Sequence, residues 1–137
     1  MKIYYSASIS GGREYADIFR ETVSFLKKYG DVLTEHIGAE TLTAKGETTG
    51  SDKEIFQRDI DWLEKADIII ADVTTPSLGV GYEIAYAIQR KIPVIACFYE
   101  KSGRRLSAMV AGNPQLKVYY YQNLIELFDK LSAIFSK

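Results

Sequence analysis

Two acidic residues, Glu83 and Asp59, are the side chains whose type and setting could support a reaction. Glu83 closely follows the turn-like segment Thr74–Gly81, which leads out of the apolar run Ile68–Ala71. Asp59 lies within a helical pattern earlier in the chain. Two carboxylates that flank a glycosidic bond can act as nucleophile and general acid. The pair is therefore a candidate for chemistry at such a bond, provided that the fold brings the two carboxyl groups to about 5 Å from each other, as a retaining mechanism requires.

The segment before Glu83 has the composition of an anion-binding turn. An apolar strand, a turn containing Thr, Pro and Ser, and the pair Gly79 and Gly81 lead into a helical pattern. A helix that begins in this way presents backbone N–H groups and a positive dipole end to an anion. We expect Glu83 in the first turn of that helix, within reach of whatever the turn binds. An acidic residue at this place can also serve only to complement the helix dipole.

Tyr4, Asp59 and His36 each have both a functional and a structural interpretation. Tyr4, on the first predicted strand, could join the site or be a core tyrosine with a satisfied hydroxyl. Asp59 could belong to a solvated helix face or form an ion pair with Arg58. His36 is the only histidine and follows the second predicted strand, where a histidine is more often structural than catalytic.

Several other classes of site lack the residues they need. One histidine and one cysteine do not make a set of zinc ligands, so we reject metal catalysis and expect no cofactor. The chain has no Gly-x-Ser-x-Gly elbow, and Gly79-Val80-Gly81 lacks the third glycine of a dinucleotide-binding loop. Cys97 lies in the apolar run Val94–Phe98 and is expected to be a small buried side chain.

Length and composition predict one globular domain over residues 1–137. The chain is 47% hydrophobic and 26% charged, which is the ordinary range for a folded domain. A net charge of −1 gives no electrostatic case for binding a nucleic acid polymer or a membrane surface. The N-terminal residues lack the apolar stretch of a signal peptide, and no segment is long enough to span a membrane. A cytoplasmic protein is expected.

Strand and helix patterns alternate along the whole chain. Residues 2–6, 31–35, 67–72, 94–98 and 118–121 are predicted strands, and residues 14–29, 82–90 and 123–135 are predicted helices. Ser51 or Asp52 could cap a further helix, with Ile55, Ile60, Trp62 and Leu63 on its packing side. Residues 37–52 form the one long loop, and 106–111 a short helical segment. This order predicts an α/β fold, a flavodoxin-like doubly wound five-stranded parallel sheet with strand order 2-1-3-4-5 and helices on both faces.

Such a sheet binds ligands outside the carboxyl ends of its strands, where the strand order reverses. That point lies between the first and third strands, so the loops Ser8–Arg13 and Thr74–Gly81 should face one crevice. Glu83 and Tyr4 would be near the same crevice.

Several motifs, taken in their order along the chain, resemble those of the 2′-deoxynucleoside 5′-phosphate N-hydrolases, members of the nucleoside 2-deoxyribosyltransferase superfamily. The resemblance runs from Lys2 to about Met109. The motifs that carry it are Tyr4 with Ser8–Arg13, Leu33–His36, Arg58-Asp59 with Trp62-Leu63, Pro76–Glu83, Ser102–Arg104 and Leu106–Met109.

The resemblance implies a role for each matching residue. Glu83 matches the nucleophile that attacks the anomeric carbon, Asp59 the residue that assists departure of the base, and Tyr4 the tyrosine that positions nucleophile and sugar. The implied substrate-binding residues are Ser8, Ile9, Ser10, Gly11, Gly12, Arg13, His36, Ser77, Gly79, Ser107 and Met109.

The resemblance also implies a homodimer in which Ser107 and Met109 reach the neighbouring subunit's site. Ser77, the backbone near Gly79 and the loop Ser8–Arg13 would hold the 5′-phosphate. His36 would lie on the base side of the pocket. Ser10 departs from the family pattern, which often has arginine there, so phosphate binding or base preference could differ.

Three functions follow as hypotheses. The first is hydrolysis of 2′-deoxynucleoside 5′-monophosphates to free base and 2-deoxyribose 5-phosphate through a covalent intermediate on Glu83. The second is base exchange by the same intermediate with a base as acceptor. The third is a non-catalytic nucleotide-binding module, because this fold has many functions. Tyr4 favours a deoxyribose substrate, since related ribonucleotide hydrolases tend to have phenylalanine at this place.

Overall fold

A computed structural model describes residues 1–8, 15–34 and 50–136. The strands are β1 (Lys2–Ser6), β2 (Asp31–Val32), β3 (Ile68–Asp72), β4 (Val94–Tyr99) and β5 (Lys117–Tyr121). The α-helices are α1 (Ala16–Leu26), α2 (Asp52–Lys65), α3 (Leu78–Gln89), α4 (Ala108–Ala111) and α5 (Leu124–Phe135), and a short 3₁₀ turn covers Glu100–Ser102.

The five strands form one parallel sheet in the order β2-β1-β3-β4-β5. The predicted fold class and strand order are therefore confirmed. In the register, Tyr4 of β1 lies beside Ile69 of β3, and Ser6 lies beside Ala71. Because the strand order reverses between β1 and β3, their carboxyl ends mark the switch point at which such sheets bind ligands.

Helices cover both faces of the sheet, and the sheet separates two apolar cores. Ile3, Tyr5 and Ile70 pack in the core that includes residues of α1 and α5. Tyr4 and Ile69 pack in the other core, with Leu63 of α2 and residues of α3. Alternation along a strand gives neighbouring residues opposite faces. It therefore assigns Tyr4 and Ser6 to the face that α2 and α3 cover.

Several element boundaries differ from the predictions, and α1 for example ends at Leu26 and not at Tyr29. The second strand is only Asp31–Val32, because beyond it the Thr34 hydroxyl takes over the pairing with β1. Thr34 Oγ1 accepts from the Tyr5 N–H at 2.8 Å and donates to the Tyr5 carbonyl oxygen at 2.6 Å. Helix α3 begins at Leu78 and not at Tyr82, so the loop after β3 is shorter than predicted.

Side-chain caps begin helices α2, α3 and α5. Ser51, one of the two residues predicted as a possible cap, forms a reciprocal capping box with Glu54 at α2. Ser77 and Asn123 accept backbone N–H groups at the starts of α3 and α5. In the ranges that the structure describes, no helix combines the length and the apolar character needed to cross a bilayer.

Candidate active site

Glu83 lies on the inner face of α3. It follows buried Val80 by three residues and precedes buried Ala87 by four, so the three side chains share one helical stripe. Glu83 is therefore in the second turn of the helix, and the prediction that placed it in the first turn is wrong. A role as a simple complement to the helix dipole loses support, since that effect is confined to the first turn.

Two hydroxyl groups of β1 hold the Glu83 carboxylate. The Tyr4 hydroxyl donates to Glu83 Oε2, and the Ser6 hydroxyl donates to Oε1 at 3.1 Å. Tyr4 and Ser6 are two residues apart on one strand, which is why both point to α3. Tyr4 and Ser6 are each only 1% exposed. Tyr4 is therefore both a core tyrosine and a candidate site residue, because its buried hydroxyl donates its hydrogen bond to the candidate nucleophile.

Burial changes the acidity of Glu83. Loss of solvation raises the pKa of this carboxyl to about 8. A carboxyl with such a pKa can change protonation near neutral pH, and a perturbed acid in a cleft is a feature of active sites. As the anion, Glu83 would be a poorly solvated carboxylate held by two donors, which suits a nucleophile.

Asp59 lies on α2, on the side of the sheet that carries Tyr4 and Glu83. Its side chain is 29% exposed and forms an ion pair with Arg58 at 2.9 Å. The Arg58 guanidinium in turn lies over the Trp62 ring, 4.7 Å from its centroid. The structural alternative for Asp59, an ion pair with Arg58, is therefore present, and it leaves the partly exposed carboxylate able to meet a ligand.

Ser77 caps α3, and the two glycines lie within that helix. The Ser77 hydroxyl accepts the Val80 N–H at 3.2 Å. A Cβ added at Gly81 would meet no atom within 4 Å, and one at Gly79 would meet only Ser77 Oγ at 3.8 Å. Helical glycines cost about 1 kcal/mol each relative to alanine. Neither glycine is required by a positive φ or by packing within the chain, so the open space beside them is available to a ligand or a partner.

A groove of about 460 Å³ lies between α3 and α4. Ser77, Ser107 and Met109 line it, together with apolar side chains of α3. Leu78 at its edge is 97% exposed, and Met109 is 84% exposed. Glu83 and Tyr4 are not among its lining residues, although Val80, on the same stripe of α3 as Glu83, is. The structure thus divides the predicted residues between an inner carboxylate site and an outer groove.

The remaining predicted residues belong to the loop after β1 and to the segment after β2. Ser8 is buried, and its hydroxyl has no hydrogen-bond partner among the described residues. Ile9, Ser10, Gly11, Gly12, Arg13 and His36 lie outside the described residues. In residues 1–8, 15–34 and 50–136, no group of three or more His, Cys, Asp or Glu side chains is arranged to hold a metal ion.

Sequence reasoning missed two features of this region. Ser6 was not among the predicted site residues, although its alternation with Tyr4 would have placed it beside Glu83. Asp72, at the end of β3, was also missed. It is fully buried, accepts from the Tyr121 hydroxyl at 2.7 Å and the Thr74 N–H at 3.0 Å, and connects the loop after β3 to β5. Burial raises the pKa of Asp72 and, with Asp72 beside it, that of Tyr121.

Residues 3–118 match the nucleoside 2-deoxyribosyltransferase family. The chain belongs to this family. A 5-hydroxymethyl-dUMP N-hydrolase of Tetraodon nigroviridis is 47% identical over 82% of this chain and 80% of its own length. One of Danio rerio is 42% identical over 92% and 88%. A putative 2′-deoxynucleoside 5′-phosphate N-hydrolase 1 of Syntrophotalea carbinolica is 40% identical over 96% and 92%.

A solved structure shares the fold of this nucleoside 2-deoxyribosyltransferase family member. The CMP N-glycosidase of Clostridium botulinum superposes with a TM-score of 0.71 over 97% of this chain and 99% of its own, at 18% identity. The sequence relatives are N-hydrolases by name, and they confirm the prediction that the chain is an enzyme of the N-glycosidase class.

Proposed function

We propose that this protein hydrolyses the N-glycosidic bond of 2′-deoxynucleoside 5′-monophosphates. The products are the free base and 2-deoxyribose 5-phosphate. The observation that carries the proposal is the Glu83 carboxylate, which is half-buried beside the switch point of the sheet and held at both oxygens by Tyr4 and Ser6. Similarity over most of the chain to N-hydrolases of deoxynucleoside monophosphates supports this substrate class.

The reaction proceeds by double displacement. A Glu83 oxygen forms a bond to the anomeric carbon C1′, and the C1′–N bond breaks with its electron pair leaving on the base. Asp59 assists that departure from the base side, where a proton transferred to the base lowers the barrier. A water oxygen then bonds to C1′ while the water gives one proton to the Asp59 carboxylate, the ester to Glu83 breaks, and both carboxyl groups return to their starting forms. Dividing one displacement into two in this way is the purpose of a covalent nucleophile.

The phosphate end of the substrate is held at the start of α3. Ser77 and the N–H groups near Gly79 lie at the positive end of the helix dipole, and the space beside Gly79 is open. The loop Ser8–Arg13 completes the phosphate contacts in this proposal. A phosphate at Ser77 and an anomeric carbon at Glu83 would place the sugar along the first two turns of α3.

The active unit is a homodimer. In the outer groove, the apolar side chains of Leu78 and Met109 are exposed to water. An exposed apolar patch is a feature of protein–protein interfaces. A second copy that covered them would place Ser107 and Met109 near the neighbouring site, where Ser107 would contact the phosphate. In this proposal the groove between α3 and α4 belongs to the dimer interface, and the inner carboxylate site carries out the reaction.

Incubation with each deoxynucleoside monophosphate, 5-hydroxymethyl-dUMP among them, followed by chromatography for free base, tests the hydrolysis. Release of base by the native protein and its loss in Glu83→Ala are expected. Absence of base release from every substrate would overturn the proposal. Ribonucleoside monophosphates, tested in parallel, examine the sugar preference that Tyr4 indicates.

Base exchange is the second candidate, because the family to which the chain belongs includes transferases by name. The two reactions share the glycosyl-enzyme intermediate and differ in its acceptor. A second, isotopically labelled base added to the assay would be incorporated into nucleotide by an exchange enzyme. Free base with no labelled nucleotide identifies a hydrolase.

A further inference from the structure

Ser6 makes a contact that the reaction described above leaves without a role. Its hydroxyl donates to Glu83 Oε1 at 3.1 Å, while Tyr4 donates to Oε2. The two donors lie on one strand, and that strand pairs with β2 on one side and β3 on the other. Ser6 itself lies beside Ala71 of β3. Its position is therefore determined by the sheet and does not depend on a loop.

Two donors on the two oxygens restrict a carboxylate more than one donor does. With Tyr4 alone, the Glu83 carboxylate could still rotate about its terminal bond, which is a soft torsion with a broad minimum. The second hydrogen bond, to the other oxygen, removes that freedom. It also determines which lone pairs are occupied and which oxygen can approach C1′.

We propose that Ser6 is a positioning residue for Glu83, which holds the nucleophile's second oxygen so that the carboxylate meets the anomeric carbon in one orientation. The inference rests on the proposed function, since it assigns Ser6 a role in that reaction. Ser6 does not touch the reacting carbon and acts only through Glu83. The strand that carries Tyr4 thus provides both supports of the nucleophile.

The same hydrogen bond favours the ionised form of Glu83. Donors to a carboxylate lower its pKa, and they oppose the burial that raises the pKa of Glu83. Tyr4 is the titratable group on β1 that faces the carboxylate. Asp59 and Arg58 are the charged pair that α2 contributes on this side of the sheet. Ser6 carries no charge, so its removal changes the hydrogen bonding of Glu83 without adding or deleting a titrating group.

The experiment compares Ser6→Ala with Ser6→Cys and with a control. Alanine removes the donor with little change in volume, and cysteine restores a weaker donor of similar shape. Thr22→Val is the matched control, because it also deletes one buried hydroxyl, which donates to the Ile18 carbonyl oxygen on the other side of the sheet. The pKa of Glu83 is read in each protein from the carboxyl ¹³C shift of labelled glutamate, assigned with Glu83→Gln.

We expect Ser6→Ala to raise the pKa of Glu83 by about one to two units, the equivalent of one hydrogen bond to a charged group. Ser6→Cys should lie between Ser6→Ala and the native protein, and Thr22→Val should leave the value unchanged. A pKa of Glu83 that is the same in Ser6→Ala as in the native protein would overturn the proposal, as would an equal shift in the Thr22→Val control.

Kinetics test the positioning role separately. We expect kcat of Ser6→Ala to fall about tenfold or more with a much smaller change in KM, and Ser6→Cys to recover part of the loss. Equal kcat in Ser6→Ala and the native protein at a pH well above both Glu83 pKa values would overturn this role. If the native protein releases no base, the proposed function has failed, and the NMR titration still decides whether Ser6 supports the Glu83 carboxylate.

Discussion

Tyr4 and Glu83 are 79 positions apart in the chain, and the tyrosine hydroxyl donates a hydrogen bond to the glutamate carboxylate. The bond crosses from the sheet to the helix above it at the switch point between β1 and β3. It joins the strand that begins the chain to the helix that carries the candidate nucleophile. The proposed chemistry therefore depends on the packing of α3 against β1.

Replacing Tyr4 by phenylalanine tests this bond. A hydrogen bond to a charged group contributes about 1.5–3 kcal/mol, so kcat/KM should fall about 10- to 100-fold. Tyr86→Phe is the matched control, because the Tyr86 hydroxyl also donates to a glutamate, Glu64, but at an exposed site between α2 and α3. Steady-state kinetics on a deoxynucleoside monophosphate provide the measurement. Similar losses in the two variants would contradict the assignment of Tyr4.

The pH dependence of the reaction should report Glu83. Burial raises the pKa of Glu83 to about 8, and only the ionised carboxylate is a nucleophile. We therefore expect kcat/KM to rise with pH and to level off above about pH 8. The measurement is a pH–rate profile of kcat/KM, which reports groups of the free enzyme. A profile that is level from pH 5 upward would show that Glu83 titrates like an ordinary carboxyl or does not attack.

Because of the same raised pKa, Glu83 lowers the free energy of unfolding at high pH. Between about pH 4.5, the ordinary value, and about pH 8, folded Glu83 retains a proton that the unfolded chain releases. The folded state binds more protons there, so stability falls as the pH rises through this window. Glu83→Gln removes the titration. The difference in Tm between variant and native protein should therefore grow from pH 5 to pH 9.

Glu21→Gln is the control for that measurement, since Glu21 is an exposed acid on α1. Its Tm difference from the native protein should stay nearly constant over the same range. Differential scanning calorimetry of the three proteins at several pH values provides the data. If the Tm of Glu83→Gln and the Tm of the native protein changed in parallel with pH, this result would contradict the raised pKa of Glu83.

Tyr121→Phe should destabilise the fold through Asp72. The Tyr121 hydroxyl donates to the buried Asp72 carboxyl at 2.7 Å, and its loss leaves one carboxyl oxygen without that donor. A buried polar group that loses its partner costs about 1–3 kcal/mol. Urea unfolding measures the change. Tyr120→Phe, one residue earlier and 39% exposed, is the control and should change the free energy of unfolding far less.

Mixed dimers test whether Ser107 serves the neighbouring site. Ser107→Asp places a negative charge against the phosphate, and Glu83→Gln removes the nucleophile, so each variant alone should be inactive or nearly so. If Ser107 acts across the interface, a mixed dimer contains one site with both native residues, and mixing should restore activity to about a quarter of the native level. This fraction follows if subunits exchange at random, with half the dimers mixed and one of two sites intact in each.

The alternative, in which Ser107 serves the site of its own subunit, predicts no gain of activity on mixing. If Ser107 serves its own subunit, no site in a mixed dimer has both native residues, and activity stays at the level of the separate variants. Analytical ultracentrifugation of the native protein provides the second measurement. A monomer at assay concentration would overturn both the homodimer and the shared site.

Much of the fold was predictable because its causes are local. The apolar runs of β3 and β4, the helical spacing of α1 and α5 and the crossover rule together predict the order β2-β1-β3-β4-β5. Element ends were less predictable. The start of α3 was misplaced because Gly79 and Gly81 were interpreted as loop residues, whereas the Ser77 cap admits both into the helix.

The candidate site was also predictable only in part. Residue types and the resemblance singled out Tyr4, Asp59 and Glu83 from the sequence. Ser6 and Asp72 were missed because serine and aspartate at strand ends are common, and only a partner across the fold distinguishes them. Alternation along β1 was the available signal for Ser6.

The sequence by itself determined the parallel sheet, the family and the identity of the candidate nucleophile, because periodicity and motif order are properties of neighbouring residues. The tertiary structure decided that Glu83 is half-buried, that the loss of solvation raises its pKa, and that β1 holds both its oxygens. It also decided that Ser77, Ser107 and Met109 line one groove between α3 and α4. Burial and hydrogen bonding between distant segments depend on how helices pack against a sheet, so no local pattern contains them.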